Sequence, residues 1–237
     1  MHSRRRALIR WSVREWSQGA IREQSLVLAL AIAAMLGGPV AAQPRDILPE
    51  DVEHYVLALS WSPSFCETQS GNAERLQCGR EADFHFVVHG LWPNTDDDSP
   101  SFCRSRARDP SRREVDGMLD IMPSPGLVRH QWRKHGRCSG LSARDYFALV
   151  RGAYERVAIP PGLTSLKKDI DVRPEVLRAA FRQANPGLRD DGIYVRCERR
   201  QLVEVRICLD PDLNFQSCPN VRRSRCRADL IDVPAPD

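Results

Sequence analysis

The sequence predicts a single α+β domain in which a central antiparallel β-sheet packs against several helices and disulfides hold the chain together. Helical patterns cluster in the middle of the chain, and strand patterns lie on both sides of them. No repeat or linker interrupts residues 43–237. Apolar residues make up 42% of the 237 residues and charged residues 28%, which excludes a disordered chain.

The first 42 residues have the pattern of a secretory signal peptide. A basic stretch precedes an apolar run, Leu26 to Leu36, and small residues end the segment at Ala42. The run is shorter than the roughly 20 residues that a membrane-spanning helix needs. We expect cleavage after Ala42, a mature domain of residues 43–237 and a secreted or periplasmic protein. The long basic stretch leaves open a later start codon or a leader that is retained as an anchor.

The net charge of +4 belongs to this leader. Residues 1–42 contain six arginines and two glutamates, and without them the totals of 35 basic and 31 acidic residues become 29 of each. The mature domain is formally neutral, so its overall charge indicates no class of partner.

All eight cysteines follow the leader, at positions 66, 78, 103, 138, 197, 208, 218 and 226. An even number in an exported chain favours disulfides, and no CxxC spacing indicates a metal cluster. Eight cysteines allow on the order of a hundred pairings, so the residues alone leave the pairing open.

Four strands and one long loop are predicted. Glu53 to Trp61 alternates and is rich in large apolar side chains, and Asp83 to Leu91 is apolar at nearly every position, which predicts burial on both faces. Ile193 to Cys197 and Leu202 to Leu209 are strands near the end of the chain. Residues 94–113 are polar and broken by proline, which predicts a surface loop.

Three helices are predicted between these strands. Leu127 to His135 is helical, and Gly136 is placed to end it. Arg144 to Val157 and Pro174 to Gln183 are amphipathic, and the second has its proline in the first turn.

The first of these helices concentrates polar groups. At about 100° per residue, four polar side chains share one face: His130, Gln131, Lys134 and His135. Trp132 points the opposite way, toward the core. A solvated helix face accounts for a lysine and a glutamine, but two histidines beside them indicate a functional site.

A second candidate segment surrounds His89. This histidine ends an apolar strand and is followed by Gly90, which places it where a buried sheet meets a loop. A structural histidine is the alternative interpretation. Trp92 offers a flat face on which a base can stack, and His85 is expected to be a packing residue.

Together the two segments resemble the active-site motifs of the ribonuclease T2 family. The matching residues are His89-Gly90-Leu91-Trp92-Pro93 and His130-x-Trp132-x-Lys134-His135-Gly136-x-Cys138. Their order and their separation of about 40 residues fit the family. Leu57 to Pro63 and the segment from Ile207-Cys208 to Cys218-Pro219 extend the resemblance over essentially the whole mature domain.

The resemblance implies a metal-independent endoribonuclease that cleaves single-stranded RNA by attack of the 2′-hydroxyl, giving a 2′,3′-cyclic phosphate and then a 3′-phosphate. It implies that His89 and His135 are the acid–base pair. We assign His89 to the leaving 5′-oxygen and His135 to the 2′-hydroxyl, and the reverse stays open. His130 is implied to bind phosphate and Lys134 to stabilise the transition state. One histidine must be neutral and the other protonated, so a bell-shaped rate profile on the acidic side is expected.

Gln131 departs from the family pattern, which usually has glutamate there. An amide keeps the size of the side chain but cannot hold charge or take a proton. We therefore expect an active but attenuated enzyme. Trp92 is expected to stack on a base, and Asn94 occupies the position where some relatives read adenine with a carboxylate, so base preference stays open.

The resemblance also implies a disulfide pairing: Cys66–Cys78, Cys103–Cys138, Cys197–Cys226 and Cys208–Cys218. No cofactor or metal is expected. The expected partner is single-stranded RNA, with no DNA, no membrane after the leader is removed, and a monomeric enzyme. The arginines at 199, 200, 222, 223 and 225 are expected to lie on a solvated surface rather than to contact phosphates.

Two other functions are possible. The first is a non-catalytic RNA-binding or signalling protein on the same fold, suggested by Gln131 and disfavoured because both catalytic histidines and Lys134 are present. The second is a secreted zinc hydrolase that uses His85, His89, His130 and His135, for which no HExxH motif is found.

Overall fold

The structure of the chain is a computed structural model that describes residues 49–68, 75–79, 84–95, 98–218 and 225–236. The expected signal peptide, the first residue of the second predicted strand (Asp83) and the arginines at 222 and 223 lie outside the described residues. Within the described ranges, no helix is long and apolar enough to cross a membrane.

The described residues form six strands and seven helices. The strands are β1 (His54–Trp61), β2 (Phe86–Asn94), β3 (Ile170–Val172), β4 (Ile193–Glu198), β5 (Gln201–Leu209) and β6 (Ile231–Val233). The helices are α1 (Ser62–Thr68), α2 (Arg75–Cys78), α3 (Arg112–Asp116), α4 (Pro125–Lys134), α5 (Ala143–Arg156), α6 (Pro161–Thr164) and α7 (Pro174–Ala184).

The strands form one sheet in the order β2-β1-β5-β6-β3, and β4 also pairs with β5. The pairs β1–β2, β1–β5, β4–β5 and β3–β6 are antiparallel, as predicted. A single parallel pairing joins β5 to β6, at Gln201 and Asp232. Because β1 lies between β2 and β5, only this one strand separates the segment around His89 from β5.

The two faces of β1 differ in character. Leu57 and Leu59 are fully buried in the main hydrophobic core, which they share with side chains from the helices. Trp132 of α4 is also fully buried in this core, as predicted. The alternate residues Ala58 and Ser60 are small, so side chains on β2 and β5 can approach each other across β1 on that face.

The seven long predicted segments are present, with their ends shifted by a few residues: β1, β2, β4, β5, α4, α5 and α7. Six short elements have no counterpart among the predictions: α1, α2, α3, α6, β3 and β6. These elements are too short to show a periodic pattern. The helix α3 begins at a capping box, in which Ser111 and Glu114 bond each other's backbone N–H.

The end of α4 differs from the prediction. His135 caps the helix, and Gly136 begins a 3₁₀ turn that runs to Ser139. A Cβ atom on Gly136 would lie 2.5 Å from Cε3 of Trp132 and 3.0 Å from the ring of Tyr146. Glycine is therefore required here by close packing rather than by a left-handed backbone.

Four disulfides join the described segments: Cys66–Cys78, Cys103–Cys138, Cys197–Cys226 and Cys208–Cys218. They are the four pairs that the resemblance implies. Cys103–Cys138 ties the loop after β2 to the turn after α4, and so links the two segments that contain the candidate histidines.

Candidate active site

His89 is the extra residue of a β-bulge in β2. Ala58 of β1 pairs with Gly90, and the next residue, Leu59, pairs with Val88, so His89 has no partner in the ladder. The prediction that His89 ends its strand is wrong, because β2 continues beyond it. Alternating hydrophobicity does not reveal an inserted residue, and the following glycine was a misleading sign of a strand end.

The bulge decides which side chains meet at the site. It shifts the phase of β2 by one residue, so Leu91 is fully buried in the core while Trp92 is half-buried near His89. The ring centroids of His89 and Trp92 are 5.5 Å apart with an edge-to-face orientation. Along one strand, Trp92 therefore contacts the candidate histidine while the adjacent Leu91 packs in the core.

Glu204 is the immediate partner of His89. It lies on β5 opposite Ser60 of β1, and its Oε1 atom bonds Nδ1 of His89 across that small residue. This contact holds one imidazole nitrogen and leaves Nε2 for a substrate. It also orients the ring from a strand that is not adjacent to β2.

Two arginines hold the Glu204 carboxylate in place. Arg196 on β4 and Arg206 on β5 lie 3.2 Å and 2.7 Å from its oxygens. Glu204 is 2% exposed, and this burial alone would raise the pKa of its carboxyl. The hydrogen bond from His89 and the charge of Arg206 outweigh burial and lower the pKa to about 2. The carboxylate beside His89 is therefore ionised.

The Trp92 ring contacts two other planar groups at the centre of the site. The guanidinium of Arg206 lies 4.4 Å from the ring centroid of Trp92. The ring of His135 stacks against Trp92, with centroids 5.2 Å apart and planes at 30°. Trp92 thus contacts both His89 and His135, and it brings β2 and the end of α4 together.

His135 is held in its neutral form. Burial lowers the pKa of its imidazole, and the positive charge of Lys134 lowers it further, to about 3. Its Nδ1 atom is buried and has no hydrogen-bond partner among the described residues. The remaining ring nitrogen, Nε2, is the one available to a substrate.

His130 lies beside a cavity of about 450 Å³ that His89 and Glu204 also line. Leu127, one turn earlier on α4, lines the same cavity. Burial lowers the pKa of His130, and the neighbouring Lys134 lowers it further. The cavity therefore lies between the two segments that contain the candidate histidines.

Gln131 is buried beneath the site rather than exposed on the helix face that it was predicted to share. It is 1% exposed, and its Oε1 atom accepts the indole N–H of Trp92 at 3.0 Å. A Cβ atom on Gly90 would overlap the Gln131 amide and would lie 2.6 Å from Nε1 of Trp92. Gly90 is therefore needed for the approach of α4 to β2.

Asn94 is placed differently from the other predicted site residues. Its side chain is 6% exposed, its amide nitrogen donates to the carbonyl of Trp92 at 2.8 Å, and its Oδ1 accepts from the hydroxyl of Ser99. These contacts fix the loop that follows Trp92. His85 packs edge-to-face against Trp61, as predicted.

Sequence reasoning missed Glu204 and its two arginines. Glu204 falls in the strand Leu202 to Leu209, among apolar residues of which Leu202 and Val205 are buried, and a carboxylate in that position was the available signal. Among the residues that the structure describes, no three His, Cys, Asp or Glu side chains form a group that could hold a metal ion.

Comparisons with known proteins identify a family for this chain. The model of the ribonuclease T2 family matches residues 52–218. A ribonuclease of Aeromonas hydrophila is 34% identical over 166 residues, which cover 68% of this chain and 74% of that protein. A probable ribonuclease of Haemophilus influenzae is 32% identical over 179 residues, covering 70% of this chain and 61% of that protein.

Solved structures share the fold. An RNase-related protein from Calystegia sepium superposes with a TM-score of 0.62 at 22% identity, covering 78% of this chain and 98% of that one. A structure of RNase NT in complex with 5′-AMP gives a TM-score of 0.60 at 22% identity, with the same coverage. Both superpositions include most of the mature domain predicted from the sequence.

Proposed function

This chain belongs to the ribonuclease T2 family and is an endoribonuclease of that type, and we propose that His89 and His135 are its acid–base pair. The observation that supports this proposal most directly is the contrast between the two histidines. Both rings lie within 5.5 Å of the Trp92 ring, yet one faces an ionised carboxylate and the other is surrounded by positive charge.

His135 is the base that takes the proton from the ribose 2′-hydroxyl. A base must be neutral before the reaction, and burial together with Lys134 keeps His135 neutral. Stacking against Trp92 fixes the plane of the ring, and Nε2 remains free for the hydroxyl.

His89 is the acid that protonates the leaving 5′-oxygen. Its Nδ1–H bonds the ionised Glu204, which fixes the tautomer and the plane of the ring. The Nε2–H is then the proton that can be given up. Glu204 acts through His89 and is therefore a positioning residue.

His130 and Lys134 bind the phosphoryl oxygens and stabilise the charge that develops on them in the transition state. Trp92 supplies the face on which a base stacks, and Asn94 supports the loop behind it. The pathway needs only side chains of the protein, with a 2′,3′-cyclic phosphate as the first product and a 3′-phosphate after hydrolysis.

The substrate is single-stranded RNA, because the nucleophile is the 2′-hydroxyl that DNA lacks. The proposed reaction requires no residue from a second subunit, and a monomeric enzyme is part of the proposal. Residues 1–42 direct export to the periplasm or the exterior, and residues 43–237 are the catalytic domain. The four disulfides favour such an oxidising compartment.

An RNase assay in the presence of EDTA tests this function. We expect the wild type to cleave total RNA under these conditions and to leave cyclic phosphate ends. His89→Ala and His135→Ala should lose most of the activity, whereas His85→Ala, which alters a packing histidine, should keep it. Activity that EDTA abolishes, or that survives both catalytic substitutions, would refute the proposed mechanism.

A further inference from the structure

The loop after β2 contains an exposed aromatic residue in an unusual backbone conformation. Phe102 is 62% exposed and has a φ angle of 54°, a left-handed conformation that residues other than glycine rarely adopt. Its ring lies edge-to-face to that of His130, with centroids 6.3 Å apart. An apolar side chain that is held in a strained conformation and in solvent is explained by a ligand better than by packing.

The chain around Phe102 is firmly fixed to the catalytic helix. The backbone N–H of Phe102 donates to the carbonyl of Lys134 at 2.7 Å. The next residue, Cys103, forms the disulfide with Cys138, just beyond the end of α4. Phe102 therefore has a constant position relative to His130 and Lys134.

The residues that follow Phe102 alternate in exposure. Arg104 and Arg106 are exposed, while Cys103 and Ser105 are partly buried. This alternation is typical of an extended segment, in which alternate side chains point to the same side, so the two arginines share one side. We call Phe102, Arg104 and Arg106 the basic strip.

The two arginines of the basic strip are available for a ligand. In the part of the chain that the structure describes, neither Arg104 nor Arg106 pairs with a carboxylate. Arg108, which continues the alternation, is instead held by Glu114 at 2.7 Å. An aromatic ring followed by free guanidinium groups is the combination that binds single-stranded nucleic acid, because the ring stacks on a base and the cations bind phosphates.

We propose that the basic strip binds the substrate RNA beyond the two nucleotides that flank the scissile phosphate. Phe102 stacks on one base outside the catalytic cleft, and Arg104 and Arg106 bind the phosphates that follow it. The strip begins beside His130, so an RNA chain that leaves the cleft along α4 meets Phe102 first. This inference rests on the proposed function, since it requires RNA in the cleft.

The test compares a dinucleoside monophosphate with a longer oligonucleotide. The longer substrate has one unmodified ribose, flanked by 2′-O-methyl nucleotides, so that both substrates are cut at a single bond. We expect kcat/KM to be higher for the longer substrate. Phe102→Ala should lower it about tenfold for the longer substrate and leave the dinucleotide unchanged. Phe102→Leu, which keeps apolar area without the ring, should behave like Phe102→Ala.

Salt dependence tests the arginines. Each phosphate contact on a single strand contributes about 0.7 to the slope of log affinity against log salt, so Arg104→Ala/Arg106→Ala should reduce the slope by about 1.4 for the longer substrate only. The matched control is Lys167→Ala/Lys168→Ala, which removes two exposed cations just before β3, at the opposite edge of the sheet from β2. The control should leave the slope unchanged.

The proposal for the basic strip would be overturned if the substitutions lowered kcat/KM equally on both substrates. It would also be overturned if the wild type showed no higher kcat/KM for the longer substrate. Phe102→Gly removes the aromatic ring and also relieves the left-handed backbone, so it should melt no earlier than the wild type. If this variant no longer cuts the longer substrate faster than the dinucleotide, the loss is due to binding rather than to folding. Binding of a fully 2′-O-methyl oligonucleotide, measured by fluorescence anisotropy, reports on the strip without cleavage. If that binding depends on the basic strip while the wild type cuts neither substrate, the proposed function is wrong but the proposed RNA binding by the strip is supported.

Discussion

The indole N–H of Trp92 donates to the side-chain oxygen of Gln131 at 3.0 Å, so the residue at which the resemblance implies a glutamate supports the aromatic centre of the site. A carboxylate in the same place would accept the same hydrogen bond. The amide therefore preserves the position of Trp92. What it lacks is a negative charge beside Lys134 and His135, so we expect lower activity without loss of the site.

Replacing Gln131 with glutamate is expected to raise activity. A carboxylate near Lys134 and His135 would favour the positive charge that His135 acquires when it takes the proton. A gain of about tenfold in kcat/KM corresponds to about 1.4 kcal/mol of transition-state stabilisation. The measurement is cleavage of total RNA by the wild type, Gln131→Glu and His135→Ala.

Gln131→Leu is the control for the hydrogen bond. It leaves the Trp92 N–H without a partner, which costs about 1–3 kcal/mol if that group stays buried, and it should be less active than the wild type. A wild type as inert as His135→Ala would contradict the expectation of an attenuated enzyme.

The acid limb of the rate profile is expected to lie at low pH. The base must be neutral, and because the pKa of His135 is lowered to about 3, its neutral form persists as the pH falls. The profile of kcat/KM reports the free enzyme. Lys134→Met and Trp92→Leu each remove a cause of the lowered pKa, so both should move the acid limb to higher pH.

These substitutions also lower the rate, but the pH at which the acid limb falls is measured independently of the maximal rate. Lys167→Met, which alters an exposed lysine just before β3, should leave the limb in place. A wild-type limb near pH 6.5, the ordinary pKa of histidine, would show that His135 is not the base.

Glu204→Gln is expected to lower kcat about tenfold while KM changes little. An amide holds Nδ1 of His89 less firmly than the carboxylate does, so the ring is no longer fixed with Nε2 toward the leaving oxygen. The measurement is kcat and KM on the same RNA. Glu198→Gln serves as control, because Glu198 is exposed and pairs with Arg196 but not with His89.

A merely structural role for Glu204 would lower the fraction of folded enzyme without changing kcat per folded molecule. Partial restoration of kcat by Glu204→Asp, which keeps a carboxylate, would support the positioning role. The melting temperature of Glu204→Gln, compared with that of Glu198→Gln, records the effect of leaving Arg196 and Arg206 without their buried partner.

Gly90→Ala is expected to damage the site more than the fold. The added methyl group would overlap the Gln131 amide and would lie 2.6 Å from Nε1 of Trp92, so their hydrogen bond must give way. We expect kcat/KM to fall at least about tenfold, with a loss of stability of about 1–3 kcal/mol. Gly162→Ala is the matched control, since no atom lies within 4 Å of its added Cβ.

The sequence predicted the long elements because their apolar periodicity is a direct result of burial. Trp132, for example, lies fully in the core as its place on the α4 helix indicated. The bulge at His89 could not be predicted, because an inserted residue changes hydrogen bonding without changing composition. Gln131 was predicted to share an open face with the histidines, but the absence of a side chain at Gly90 lets α4 approach β2 closely enough to bury it.

Glu204 illustrates a different limit. It lies more than a hundred residues from His89 in the chain, and only the order β2-β1-β5 brings the two together across Ser60. A single sequence contains no information on that strand order. The motifs therefore indicate the groups that we propose to react, while Glu204, which holds one of them, became visible only in three dimensions.

The bulge at position 89 has a consequence for how the chain can change over time. Because His89 has no partner in the ladder, a mutation there would remove the proposed acid while the neighbouring pairs, Ala58 with Gly90 and Leu59 with Val88, remain. Even the loss of the extra residue would leave these pairs in a regular ladder, with Leu91 and Trp92 on the faces they occupy now. Descendants of this protein can thus lose their enzymatic activity and still persist as well-folded proteins, open to recruitment for other purposes.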